Sequence, residues 1–66
     1  MMGIDDAVKI FVRKDEYGEV ENVMSKNLIE FAEWFQKAKE RGAKIIPNGM
    51  KSVIVITENR YFVAQA

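Results

Sequence analysis

The chain has 66 residues, with ten basic and ten acidic side chains, no cysteine and no histidine. This length predicts a single domain, residues 1–66, which buries only about 60% of its unfolded surface and is marginally stable alone. The composition excludes disulfides, thiolate metal sites and histidine acid–base catalysis, and a net charge of zero argues against binding that depends on bulk attraction to phosphate.

Nothing in the sequence predicts a membrane protein. The first six residues include two aspartates and lack the long apolar stretch of a signal peptide. The longest strongly apolar run is Val53 to Ile56, whereas a membrane-spanning helix needs about 20 apolar residues. Because the absence of cysteine is also typical of cytosolic proteins, we expect a soluble, cytoplasmic protein with no membrane partner.

The first half of the chain predicts a β-hairpin. Residues 7–14 alternate with period two, which is typical of a strand; Val8, Ile10 and Val12 share one face, and Lys9, Phe11 and Arg13 share the other. Residues 15–18 predict a turn, at the end of which Gly18 is able to adopt a positive φ. Residues 19–24 then return as a second strand, and the apolar pattern favours a register with Val12 opposite Val20.

Residues 25–41 predict the only helix. An apolar stripe follows the spacing of three and four residues expected for a buried helix face and comprises Leu28, Phe31, Ala32, Phe35 and Ala38. Either Ser25 or Asn27 could cap the N-terminus through a side-chain oxygen, and Asn27 with Glu30 forms a capping-box pattern. Gly42 suits the position just after the C-terminus.

The remaining residues complete a small α+β fold. Residues 43–46 are either a short strand or an extended connection, Pro47-Asn48-Gly49 predicts a turn, and residues 52–57 and 60–65 predict a hairpin around Glu58-Asn59. We therefore expect an antiparallel sheet of four strands, or five, in ββαββ order, with the helix packed on one face. The predicted core comprises Val8, Ile10, Val12, Leu28, Phe31, Phe35, Ile54, Ile56 and Val63.

The last hairpin predicts an interaction surface, because both of its faces are apolar and one helix covers only one face. We expect Ile54, Ile56 and Val63 to lie on the face that packs against the helix. The opposite face is then the predicted interface. Trp34 either anchors a partner beside this face or acts as a lid over the core. The predicted interface residues are Phe11, Val53, Val55, Phe62, Ala64 and Trp34. The leading hypothesis is a non-enzymatic homodimer, or a module that binds another protein, in the role of a regulator or accessory subunit.

The candidates for catalysis each have a simpler structural explanation. Ser25 is explained as a helix cap and Ser52 as a strand residue without a base nearby in sequence. The carboxylate pairs Asp5-Asp6 and Asp15-Glu16 fit a solvated terminus and a polar turn, and neither has the spacing of a calcium loop. The glycines are isolated, so no phosphate-binding loop is present. We therefore expect no enzymatic activity, no cofactor and no metal site.

The alternative hypothesis is a nucleic-acid-binding module. Basic and aromatic side chains on a sheet face bind single strands in several folds, and the candidate residues are Lys9, Phe11, Arg13, Lys51 and Arg60, with Phe62 beside them. Nearby glutamates and the apolar character of this face weigh against it. A third hypothesis, a small-ligand carrier or an enzyme subunit, has no supporting feature in the sequence.

Overall fold

The structure, a computed structural model, describes residues 7–66. In these residues five strands form one antiparallel sheet, and a single helix packs on one of its faces. The sheet order is β2-β1-β5-β4-β3. The predicted α+β class is confirmed, and the stretch after the helix is a fifth strand. The elements are β1 (Val8–Arg13), β2 (Val20–Lys26), α1 (Leu28–Glu40), β3 (Lys44–Pro47), β4 (Ser52–Ile56) and β5 (Tyr61–Gln65).

The hairpin of β1 and β2 has a different register from the predicted one. Val12 lies opposite Asn22, and Arg13 lies opposite Val20, so the register shifts by one residue at a bulge. The predicted pairing of Val12 with Val20 is wrong because β2 continues to Lys26, and Glu21 is the extra residue at the bulge. The two faces of β1 are nevertheless as predicted. Up to Val12, the observed partner on β2 differs from the predicted partner by an even number of residues, and such a shift leaves each side chain on the same face.

Gly18 closes the first turn by its size rather than by its backbone conformation. The predicted turn is present, but the φ of Gly18 is not positive, so the turn does not use the conformation that glycine makes available there. Asp15 accepts hydrogen bonds from the backbone N–H groups of Tyr17, through Oδ1 at 2.9 Å, and Gly18, through its carbonyl at 3.1 Å. A Cβ at position 18 would lie 3.0 Å from Asp15 Oδ1, and glycine is therefore the residue that lets the turn close around this aspartate.

Asn27 begins the helix with a complete capping box. Its Oδ1 accepts a hydrogen bond from Glu30 N at 2.8 Å, and Glu30 Oε1 accepts one from Asn27 N at 3.2 Å. The alternative cap, Ser25, is wrong because this residue lies in β2 opposite Lys9. The reciprocal bonds satisfy two of the N–H groups that a helix start leaves unpaired.

A Schellman motif ends the helix. Gly42 has a φ of 86°, as predicted for the residue after the C-terminus. The Gly42 N–H donates to the carbonyl of Lys39, and the Ala43 N–H donates to that of Ala38, both at 3.0 Å. These two bonds turn the chain sharply into β3, at one edge of the sheet.

The core lies between α1 and one face of the sheet. Ile10 and Val55 are fully buried there, and Ala64 is 2% exposed. The helix contributes aromatic rings; Trp34 meets Phe62 edge to face, with centroids 5.3 Å apart, and stacks on Phe31 at 5.9 Å. The sheet residues on this face, termed the covered face, are Val8, Ile10, Val12, Met24, Ile45, Val53, Val55, Phe62 and Ala64.

The predicted core is correct for β1 and wrong for β4 and β5. Because Ile10 pairs with Ala64 and Val12 with Phe62, the even-numbered residues of β5 face the helix. The three residues assigned to the helix from the last hairpin (Ile54, Ile56 and Val63) therefore lie on the opposite face. Leu28, also assigned to the core, is 51% exposed, because the inward side of the helix centres on Phe31, Trp34 and Ala38.

Candidate interaction surface

An apolar row crosses the whole sheet on the face opposite the helix. No other element within residues 7–66 packs on this face, which we term the open face. One residue from each strand contributes, in register with its neighbours. In sheet order the row, termed the central row, is Val23, Phe11, Val63, Ile54 and Ile46. Its inner members are partly exposed, and Val23, at the edge, is 48% exposed.

Two further rows flank the central row and differ in character. One is polar and contains Ser25, Lys9, Gln65 and Ser52. The other is mixed and contains Val20, Arg13, Tyr61, Ile56 and Lys44. The ionisable groups paired in these three rows are cationic or phenolic, and no carboxylate is among them. The open face is thus an apolar stripe with basic and polar borders.

Of the strand residues predicted to form the interface, only one lies on the face opposite the helix. Phe11 lies on the open face, as expected. The prediction is wrong for four other residues, because the register of β5 with β1 places them on the covered face; these are Val53, Val55, Phe62 and Ala64. Two of them are almost completely buried there, Val55 at 0% and Ala64 at 2% exposure. Side chains buried beneath α1 are unavailable to a partner. The candidate interaction surface therefore consists of the apolar residues of the open face.

Trp34 also belongs to the covered face. It is half-buried between Phe31 and Phe62 and contacts the core cluster of Val8, Ile10 and Ala64. Its position corresponds to a lid over the core and not to an anchor beside the open face.

The predicted nucleic-acid residues do not form one group. Lys9, Phe11 and Arg13 share the open face, whereas Lys51 and Arg60 lie in loops at opposite ends of β4 and β5. Arg60 Nε is 3.4 Å from a Glu21 carboxylate oxygen, and Lys14 Nζ lies 3.9 Å from the same carboxylate. Phe62 faces the helix and is separated from the basic group.

Arg13 is held back toward the first turn. Its Nη1 donates to the Glu16 carbonyl at 2.9 Å, and its buried Nε has no hydrogen-bond partner within residues 7–66. The guanidinium is therefore fixed by a local contact, and its charge lies at the border of the open face.

The other chemical candidates have structural roles where the structure describes them. Asp15 organises the first turn, and Ser52 Oγ accepts a hydrogen bond from Asn48 Nδ2 at 3.2 Å, while Asp5-Asp6 lies outside the described residues. The neighbouring Glu16 raises the pKa of Tyr17 through a hydrogen bond and its charge. Within residues 7–66, no three His, Cys, Asp or Glu side chains are grouped to hold a metal ion.

No helix in residues 7–66 has both the length and the apolar character needed to cross a bilayer.

Sequence reasoning left four members of the central row out of the predicted interface, and it also left out the border residue Lys44; the four are Val23, Val63, Ile54 and Ile46. One available signal was the size of the residues in the last hairpin. Ala64 is small enough to lie beneath aromatic helix side chains, whereas Tyr61 has a hydroxyl that favours a solvent-facing position. These two residues indicate which side of the hairpin faces the helix.

Comparison with known proteins adds no relative to this picture. No protein-family model matches the chain, and neither the curated proteins nor the solved structures give a match.

Proposed function

We propose that this chain is a non-enzymatic protein-interaction module that works as a homodimer, with the open face of one copy packed on the open face of another. In this role it would act as a cytoplasmic regulator or accessory subunit of a larger assembly. The central row is the observation that supports this proposal, because it places an apolar residue of every strand on one uncovered surface.

The burial of the central row supplies a driving force for association. Removing a large apolar side chain completely from water is worth roughly 1.5–3 kcal/mol. Phe11, Val63, Ile54 and Ile46 are already partly shielded by their neighbours, so each gains less than this on association. Summed over two copies, the burial of these side chains still contributes favourable free energy. A 66-residue domain with a small core has little such free energy from its own folding.

The edges of the sheet support a contact through the face. At one edge, β3 has four residues and ends at Pro47, which has no N–H to donate to a further strand. Short strands and prolines at an edge oppose pairing between sheets. The opposite edge, β2, carries the bulge and its exposed Glu21, which also disfavour a regular ladder. The central row contains no proline and lies outside the bulge.

The test is a change in mass caused by one substitution on the open face. Phe11→Glu should dissociate the dimer, because it places a carboxylate in the apolar contact while leaving it beside Lys9 and Arg13 in the monomer. Light scattering at low micromolar concentration should give twice the 7.6 kDa chain mass for the wild type and the single mass for the variant. Circular dichroism would show that the variant remains folded.

Ile29→Glu is the matched control. Ile29 is 74% exposed on α1, so the same type of change should leave the dimer intact. A folded wild-type monomer would contradict the proposal, as would a Phe11→Glu variant that keeps the dimer mass.

The second candidate function, nucleic-acid binding, is favoured by one observation. The cationic side chains of Lys9, Arg13 and Lys44 border the open face, with Phe11 and Tyr61 between them. A monomeric wild type that binds single strands, with an affinity that falls steeply as salt rises, would replace the dimer proposal with this one.

A further inference from the structure

We infer that Asn48 is a site of spontaneous covalent modification, at which the side-chain amide is lost as ammonia and an isoaspartate or an aspartate remains. The nucleophile is the backbone nitrogen of Gly49, in the turn between β3 and β4. The isoaspartate loosens β3, which lies at one edge of the sheet. This inference is independent of the proposed dimer, since it requires only the folded chain.

The reaction consumes water and releases ammonia. The Gly49 nitrogen gives up its proton to the solvent and attacks Asn48 Cγ. A bond forms between these two atoms as the bond from Cγ to Nδ2 breaks, and Nδ2 leaves as ammonia. The product is a cyclic imide, which water opens at either carbonyl. Attack at the former backbone carbonyl gives isoaspartate, in which the main chain runs through Cγ, and attack at Cγ gives aspartate.

Gly49 offers an unhindered nucleophile. It has no side chain to obstruct the approach of its nitrogen to the neighbouring Cγ. Its φ of 83° is a conformation that other residues rarely adopt, so the turn itself favours glycine here. Its N–H donates to no other backbone group within residues 7–66. The nitrogen is therefore not held by the hydrogen-bond ladder of a strand or a helix.

The reacting amide is open to solvent and only lightly held. Asn48 and Gly49 are both exposed, and a Cβ placed on Gly49 would have no other atom within 4 Å. Within the described part of the chain, the Asn48 side chain makes a single hydrogen bond, from Nδ2 to Ser52 Oγ at 3.2 Å. An exposed hydrogen bond of this kind contributes little net stability, because water replaces it. The side chain is thus free to turn toward the Gly49 nitrogen.

The other asparagines of the chain each lack one of these features. Asn22 lies within β2, and Asn27 Oδ1 accepts a hydrogen bond from Glu30 N at 2.8 Å. Asn59 is the closest comparison, because it is also exposed in a turn, between β4 and β5, but Arg60 follows it. The chain therefore contains an internal control for the effect of glycine.

The isoaspartate alters the turn that closes the hairpin of β3 and β4. The Asn48 N–H donates to the Ser52 carbonyl at 3.0 Å, next to the pairing of Pro47 with Val53. Isoaspartate adds a methylene group to the main chain at this point, and the closing bond is displaced. Because β3 has four residues and pairs only with β4, it has no second neighbour to hold it. Aspartate keeps the backbone unchanged and leaves the hairpin closed.

Peptide mapping of the intact chain after incubation in mildly alkaline buffer tests the site. Trypsin separates the two asparagines to be compared, because residues 45–51 contain Asn48 and residues 52–60 contain Asn59. Asn48 should be modified about tenfold faster than Asn59, since glycine has no Cβ to hinder the attack. The modified peptide should show the mass change for replacement of NH by O and should contain mainly isoaspartate. Equal rates at the two positions would overturn the inference.

Asn48→Gln is the control for the site, because glutamine forms the corresponding larger ring slowly. A mass change that persists in residues 45–51 of this variant would place the modification elsewhere and overturn the inference. Hydrogen exchange of the β3 amides tests the consequence, and it should be about tenfold faster in the isoaspartate form than in the fresh protein. The Asn48→Asp variant should exchange like the fresh protein. Unchanged exchange in the isoaspartate form would overturn the loosening of β3.

Discussion

The two faces of the sheet both carry a band of apolar side chains but differ in what surrounds that band. On the covered face, Ala64 and Val53 pack with the aromatic side chains of Phe31 and Trp34. On the open face, the central row remains partly exposed between rows that contain cationic and polar side chains. The presence of apolar strand residues therefore does not by itself identify the face that the helix covers.

The largest expected effect compares one substitution on the two faces. Ile10→Ala on the covered face should reduce the free energy of unfolding by about 3 kcal/mol, because it leaves a cavity at a fully buried site. Ile54→Ala on the open face should cost about 1 kcal/mol or less in a monomeric Phe11→Glu background, since Ile54 is already partly exposed. Urea unfolding measures both, and equal costs would contradict the assignment of the two faces.

The helix cap gives the next comparison, because it holds the layer that covers one face. Asn27→Ala should destabilise the fold by about 1 kcal/mol, since Glu30 N loses its side-chain acceptor. Ser25→Ala, only two residues earlier, lies in the polar row of the open face and should be close to neutral. Thermal unfolding of the two variants would show which residue caps the helix, and the reverse ranking would contradict the capping box.

The smallest expected effect is a coupling energy that should exist on one face only. In a double-mutant cycle, Trp34→Ala and Phe62→Ala should be coupled by about 0.5–1 kcal/mol, because their rings are in edge-to-face contact. Trp34→Ala and Phe11→Ala should show a coupling near zero, since Phe11 lies on the opposite face. Coupling between Trp34 and Phe11 would place both rings on one side of the sheet.

Local patterns in the sequence predict the elements well. The alternation in β1, the Asn27–Glu30 spacing and Gly42 each depend on residues close in the chain, and each is found as expected at these positions. Local patterns were less informative about how neighbouring strands pair. The bulge at Glu21 changed the register of the first hairpin, because a bulge depends on how two strands fit and not on one strand alone.

The sequence by itself determined that residues 7–66 form one helix and one antiparallel sheet, with more apolar sheet surface than one helix covers. Only the tertiary structure decided which residues form that surface. The last hairpin is apolar on both sides, so its orientation depended on the register between β1 and β5, which are separated by most of the chain. A shift of one residue in that pairing would exchange Phe62 and Val63 between the two faces. The physical reason is that long-range pairing, and not local preference, selects the face that the helix covers.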